Sequence, residues 1–148
     1  MRLALTAAVI LAVSASGVAV AAAPRDPAGV AACLTSHNIL TTRRTNHVVA
    51  PKSPQAALLT VSFALIPSAA LNSGVLAFEK NAAVATRVGN EWLAYELARF
   101  KKGGLHVTAS MVRTTYFVKD NVIAIWDSEP GTHTPGRAQA RRLLEACI

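Results

Sequence analysis

Apolar residues recur with helical spacing near both ends of the chain. Asp26-Pro27 is typical of a helix start, with Asp as the N-cap and Pro as the first helical residue. Thr134-Pro135 repeats this pattern close to the end of the sequence. Positions i, i+3, i+4 and i+7 after each start form one helical face. The first such face consists of Val30, Cys33, Leu34 and His37, and the last consists of Ala140, Leu143, Leu144 and Cys147.

Between these two helices the polarity first alternates with the period of a strand. Apolar and small polar residues alternate over 55–66, which predicts a half-buried strand. Turn-forming residues at 72–74 precede a short second strand at 75–79. Asn81 is a suitable N-cap for a long helix that continues to Lys102, where two glycines end it. This part of the chain therefore predicts a hairpin followed by a helix.

A second hairpin is predicted after the long helix. Residues 107–111 and 114–119 are rich in strand-forming side chains, and a tight turn at Asp120-Asn121 leads into a strand at 122–127. The polar segment 40–49 is either an edge strand or a loop. Together these elements predict a two-layer α+β domain with an antiparallel sheet of about four strands. We expect its three helices to lie mainly on one face of that sheet.

The beginning of the chain has the pattern of a secretory signal peptide. Arg2 precedes a largely apolar stretch at 3–23, and Ala19-Val20-Ala21 offers a cleavage site between small residues. We therefore expect a signal peptide at 1–21 and a single domain at 22–148. The alternative is a membrane anchor through 3–23, because a stretch of this length can span a bilayer.

Length and composition limit the classes of protein that remain. A chain of 148 residues fits one domain and excludes an enzyme with separate cofactor and substrate domains. With 52% hydrophobic and 16% charged residues, the chain has enough apolar surface to fold, which argues against intrinsic disorder. The chain contains none of the sequence motifs typical of serine hydrolases, zinc proteases or nucleotide-binding loops. We therefore predict no cofactor.

Two cysteines lie near the two ends of the expected mature chain. Cys33 and Cys147 each fall on the apolar stripe of a terminal helix, and export would bring them into an oxidising compartment. We predict that they form one disulfide that links the two helices. A lipoprotein in which Cys33 is lipidated is a weaker alternative, because Pro24 to Pro27 separates that cysteine from the apolar stretch and Cys147 would stay unpaired. We predict no metal site, since the four histidines are well separated along the sequence.

A scattered set of polar residues gives weak candidates for catalysis. Glu96 lies between two apolar stripes of the long helix, and a desolvated carboxylate there would suit proton transfer. His106 or His133 could act as an acid and Arg113 as a phosphate clamp, which together suit a small secreted hydrolase of ribonuclease type. No spacing requires these residues to converge, so this reading is the alternative one.

Positive charge is the remaining functional signal. The net charge of +7 falls to +6 once Arg2 is removed with the signal peptide. The candidate anion-binding residues are Arg43, Arg44, Lys52, Arg137, Arg141 and Arg142. Basic clusters of this kind attract anionic surfaces and polymers, although they also occur as ordinary solvated faces. The leading prediction is therefore an exported, non-enzymatic binding or structural domain, with an anionic partner as the more specific form.

Overall fold

The fold is an α+β domain, as the sequence pattern predicts. The structure is a computed structural model that describes residues 23–44, 57–63, 73–126, 130–131 and 136–148. Four helices and five strands lie within these residues. In chain order they are α1 (Pro27–Ser36), β1 (Leu40–Arg44), β2 (Ala57–Ser62), β3 (Ser73–Phe78), α2 (Ala82–Lys102), α3 (Ala109–Val112), β4 (Tyr116–Lys119), β5 (Val122–Trp126) and α4 (Arg137–Cys147).

The five strands form one antiparallel sheet in the order β1-β2-β3-β5-β4. The two predicted hairpins are confirmed as β2–β3 and β4–β5, and the central pair β3–β5 joins them. The sequence allows either an edge strand or a loop at 40–49. The structure has an edge strand over Leu40–Arg44, paired with β2. The sheet therefore has one strand more than the predicted number, and β1 and β4 are its two edges.

Helices cover both faces of the sheet, which corrects the expectation of a two-layer domain with its helices on one face. Buried residues of α1 and α4 contact one face, where they join Leu76 and Trp126. Buried residues of α2 and α3 contact the other face, where they join Ala77 and Ile123. The reason lies in the strands, because β5 is apolar at every position and therefore has no face suited to water.

Side-chain caps start the first two long helices where the sequence predicts. The Asp26 carboxylate accepts a hydrogen bond from the Gly29 amide at 2.9 Å, and Pro27 is the first residue of α1. The Asn81 side chain accepts one from the Val84 amide at 2.9 Å and starts α2, which ends at Lys102. These caps satisfy amides that have no partner inside the helix.

Two predicted elements differ from the observed ones. Residues 109–112 form the short helix α3, whereas the sequence pattern predicts a strand over 107–111. Thr108 Oγ1 accepts a hydrogen bond from the Met111 amide and so caps a helical turn that buries Val112. The last helix begins at Arg137 after Gly136, whose φ of 78° is the left-handed conformation that glycine adopts without strain. The predicted start at Thr134-Pro135 is therefore wrong, and those two residues lie outside the described ranges.

The β4–β5 turn holds the segment that leads into α1. The Asn121 side chain is 3% exposed and accepts a hydrogen bond from the Arg25 amide at 2.6 Å. Its amide nitrogen donates to the Glu79 carbonyl at 2.9 Å and to the Arg25 carbonyl at 3.2 Å. Arg25 Nε also contacts the Asp120 carboxylate at 3.1 Å. One side chain thus joins the segment before α1, the end of β3 and the turn.

Asn121→Ala is expected to lower the free energy of unfolding by about 2–3 kcal/mol, because it leaves backbone groups of Arg25 and Glu79 without their partner. Urea unfolding of the purified protein measures this difference. Asn90→Ala is the matched control, since Asn90 is an exposed residue of α2 and alanine is a better helix former. Equal stabilities of the two variants would contradict the structural role of Asn121.

The predicted signal peptide at 1–21, its cleavage site and, apart from Ala23, the alternative anchor at 3–23 lie outside the described residues. Among the helices that the structure does describe, none has both the length and the apolar character needed to cross a bilayer.

Candidate functional site

The helix α4 is strongly two-sided, and this asymmetry creates a basic surface. Ala140, Leu144 and Cys147 are buried against the sheet. Arg141 and Arg142 are exposed, while Arg137 is half-buried at the beginning of the helix. The spacing of the apolar residues fixes the rotation of the helix, so the arginines are left on its solvent side. The sequence prediction that these three arginines share the last helix is consistent with this placement.

Two of the arginines lie over buried aromatic rings. The Arg137 guanidinium is 6.0 Å from the ring centre of Trp126, and the Arg141 guanidinium is 4.8 Å from that of Phe117. Both rings belong to the buried core beneath α4. Burial lowers the pKa of Arg137 from its ordinary value. Stacking on an aromatic face restricts a long side chain and adds a cation–π attraction, so both guanidinium groups are held in place.

Lys119 adds a fourth cation beside the helix. It is the last residue of β4, and its Nζ donates a hydrogen bond to the backbone carbonyl of Glu145 near the end of α4. The Glu145 carboxylate pairs with Arg141 Nε at 2.7 Å. Arg142 is exposed and has no hydrogen bond or ion pair within the described residues. Arg137, Arg141, Arg142 and Lys119 together make up the α4 basic surface.

The α4 basic surface has the chemistry of an anion-binding site. The described residues of α4 and β4 carry these four cations and a single carboxylate, that of Glu145, which pairs with Arg141. Guanidinium groups bind phosphate and carboxylate groups through two parallel hydrogen bonds, whereas an ammonium group acts as a compact point charge. Sequence reasoning missed Lys119, because its contact with α4 joins residues that are 26 positions apart.

The other predicted anion-binding residues lie elsewhere. Arg43 is exposed on β1, the strand at the opposite edge from β4. Four strand spacings separate these two edges, which corresponds to about 19 Å. Arg44 ends β1, and nothing is described of its side chain. Lys52 lies outside the described residues. Arg43 is therefore not part of the α4 basic surface.

Glu96 is buried, but both of its carboxylate oxygens accept hydrogen bonds from an arginine. The residue is 5% exposed, and Arg99 donates from Nε to Oε1 at 3.1 Å and from a terminal nitrogen to Oε2 at 2.7 Å. The hydrogen bonds that Arg99 donates to the Glu96 carboxylate raise the pKa of Arg99. The Arg99 guanidinium also lies 4.4 Å from the ring centre of Phe100. This geometry is that of a structural ion pair at the end of α2.

The remaining catalytic candidates do not join Glu96 through any described contact. His106 is exposed in the segment after α2, and Arg113 is exposed directly after α3. Burial raises the pKa of Tyr116, and the nearby Arg113 charge opposes that rise. His133 lies outside the described residues. The ribonuclease alternative stays a prediction, and incubation of the purified protein with RNA tests it directly.

The predicted disulfide between Cys33 and Cys147 is confirmed. The Cα atoms of the two cysteines are 5.6 Å apart, and the bond joins α1 to the end of α4. His37 lies beside it, with a ring nitrogen within 4.8 Å of both sulfur atoms. Cys33 is half-buried and His37 is exposed, so the cluster is open to solvent. The sequence indicates that His37 lies near Cys33, since residues 33 and 37 are one helical turn apart.

Comparisons with known proteins identify no relative of this chain. No protein-family model, no curated protein and no solved structure matches the chain.

Proposed function

We propose that this protein is an exported binding domain that holds an anionic polymer on the α4 basic surface. The observation that carries the proposal is the placement of Arg137 and Arg141 over the buried rings of Trp126 and Phe117. Cations that are already fixed lose less conformational entropy when they bind a ligand, so they bind anions better than mobile surface lysines do.

Export is supported by two observations. The Cys33–Cys147 disulfide is compatible with an extracellular location, because such bonds form and persist in oxidising compartments. The beginning of the sequence has the basic, apolar and small-residue regions of a signal peptide. In such a location the available anionic polymers carry repeated phosphate, sulfate or carboxylate groups.

The α4 basic surface is long enough to contact several charged groups of one polyanion rather than a single ion. Arg137 and Arg141 are separated by about 6 Å along the helix axis, and Lys119 extends the surface onto the edge strand. Arg142 forms no hydrogen bond or ion pair among the described residues, so its charge is available to a ligand. An extended polyanion can contact these groups at the same time, which raises its affinity above that of a single phosphate.

Binding of a fluorescently labelled linear polyphosphate to the purified, oxidised protein tests the proposal. Fluorescence anisotropy is expected to show binding that weakens as the salt concentration rises, because the attraction is electrostatic. Arg142→Gln is expected to raise the Kd about fivefold, which corresponds to about 1 kcal/mol for one cation at an anionic surface. The thermal midpoint should stay unchanged, since no described contact of Arg142 is lost.

Lys102→Gln is the matched control. Lys102 is an exposed cation at the end of α2, on the opposite face of the sheet, and its substitution removes the same charge. We expect this variant to bind as tightly as the wild type. Equal weakening by the two substitutions would show that only net charge matters, and absence of binding at low salt would reject the proposed function.

A further inference from the structure

The group formed by Cys33, His37 and Cys147 has the composition of a soft-metal site. One ring nitrogen and two sulfur atoms lie within 4.8 Å of one another, and they come from α1, from its C-cap residue and from the end of α4. His37 is the C-cap residue directly after α1, four residues beyond Cys33, and its ring lies near the Cys33 sulfur. In the oxidised protein the two sulfur atoms are bonded to each other and cannot act as thiolate ligands.

We propose that the reduced protein binds one Zn²⁺ through the sulfur atoms of Cys33 and Cys147 and a ring nitrogen of His37. Zinc commonly takes thiolate and imidazole ligands, and three protein ligands leave the fourth tetrahedral position to water. This site shares no ligand residue with the α4 basic surface, and the anion-binding proposal does not require it.

The dimensions of the cluster fit zinc. Tetrahedral bonds of about 2.3 Å to sulfur and about 2.0 Å to nitrogen place the ligand atoms about 3.5–3.8 Å apart. The three ligand atoms already satisfy a limit of 4.8 Å, and the Cα atoms of the two cysteines are 5.6 Å apart. Rotation of the freed cysteine side chains therefore suffices to form the site. The exposed position of His37 gives the ion a path from solvent.

The chemical steps balance with an external dithiol as the reductant. The dithiol supplies two electrons and two protons, the bond between Cys33 and Cys147 breaks, and the dithiol itself becomes a disulfide. Zinc then displaces the two thiol protons, and His37 binds as a neutral imidazole. Two protons are released for each ion bound, so the affinity for zinc falls as the pH is lowered.

Cobalt provides the direct readout, because thiolate–Co²⁺ bonds absorb in the near ultraviolet and tetrahedral Co²⁺ absorbs in the visible. The protein is reduced with a phosphine, which leaves no competing thiol in solution, and is titrated with Co²⁺ and then with Zn²⁺. We expect one Co²⁺ per chain with both absorptions, and loss of both when Zn²⁺ displaces it. The oxidised protein should bind neither ion.

His37→Ala distinguishes the proposed site from simple binding to two thiols. It is expected to weaken Zn²⁺ binding at least about tenfold, since changing even an outer partner of a zinc ligand has effects of that size. His106→Ala is the matched control, because His106 is also exposed and lies in the segment after α2. That variant should bind zinc like the wild type. Both variants are checked in the oxidised state, where their thermal midpoints should match that of the wild type.

Circular dichroism keeps the test decisive if reduction loosens the fold. Recovery of helical signal on addition of Zn²⁺ to the reduced wild type, but not to His37→Ala, supports the site. Equal zinc affinity of the wild type and His37→Ala would overturn it, whether the reduced chain is folded or not. Absence of thiolate–Co²⁺ absorption in the reduced wild type would also overturn it, without affecting polyphosphate binding by the oxidised protein.

Discussion

Reduction of the disulfide between Cys33 and Cys147 is expected to lower the free energy of unfolding by about 5 kcal/mol in metal-free buffer. The two cysteines are 114 residues apart, so the bond restricts nearly the whole unfolded domain, and the chain-entropy relation gives this value for a loop of that length. For a domain of this size the thermal midpoint should fall by roughly 10–20 °C. The reduced protein would then be only marginally stable.

Thermal unfolding followed by circular dichroism, with and without a phosphine reductant and with a chelator present, measures this effect. Cys33→Ala/Cys147→Ala is the control, because its midpoint should not respond to the reductant. A shift below about 2 °C in the wild type would mean that the bond does not restrain the unfolded chain as proposed. The same bond holds the end of α4, so its loss should also loosen the α4 basic surface.

Gly74→Ala should destabilise the domain by about 2–3 kcal/mol. Gly74 lies in β3 at the centre of the sheet, paired with Val61 on one side and Trp126 on the other. A Cβ atom at this position would lie 2.5 Å from the backbone carbonyl oxygen of Ile125. Backbone atoms cannot rotate away as a side chain does, so the β3–β5 pair would have to separate locally.

Urea unfolding checks this value against Gly29→Ala as the control. Gly29 lies in the first turn of α1, and the nearest atom to an added Cβ there is an Asp26 carboxylate oxygen at 3.7 Å, an ordinary contact. Alanine at a helical position is expected to be neutral or stabilising by up to about 1 kcal/mol. Comparable losses in both variants would contradict the close approach of β3 and β5.

The elements that could be predicted from the sequence are those whose cause is local. Asp26 and Asn81 cap helices through amides only three residues away, and the turn at Asp120-Asn121 joins adjacent strands. The disulfide could also be predicted, since the chain has only two cysteines, both fall on apolar helical stripes, and the predicted signal peptide indicates an oxidising compartment. The caps and the turn join residues that are close in sequence, and for the disulfide only one pairing of cysteines exists.

Two errors, at 107–111 and at the start of α4, are local, and the others concern interactions between distant parts of the chain. The side of the sheet on which each helix lies depends on both faces of β5, and its continuous apolar run was the available sign of burial on both faces. Alternation alone could not distinguish a strand at 107–111 from the turn of α3, which the Thr108 cap decides. The contact of Lys119 with α4 and the position of His37 beside Cys147 arise only when the terminal helices come together.

Chemical-shift mapping of the ¹⁵N-labelled, oxidised protein with linear polyphosphate is the most direct test of the central claim, that the α4 basic surface binds an anionic polymer. The expected result is a set of salt-sensitive shifts in the backbone amides of Arg137, Arg141, Arg142 and Lys119, with the amides of α2 near Lys102 unchanged. Shifts centred on the end of α2, or shifts of equal size over all basic residues, would contradict the claim.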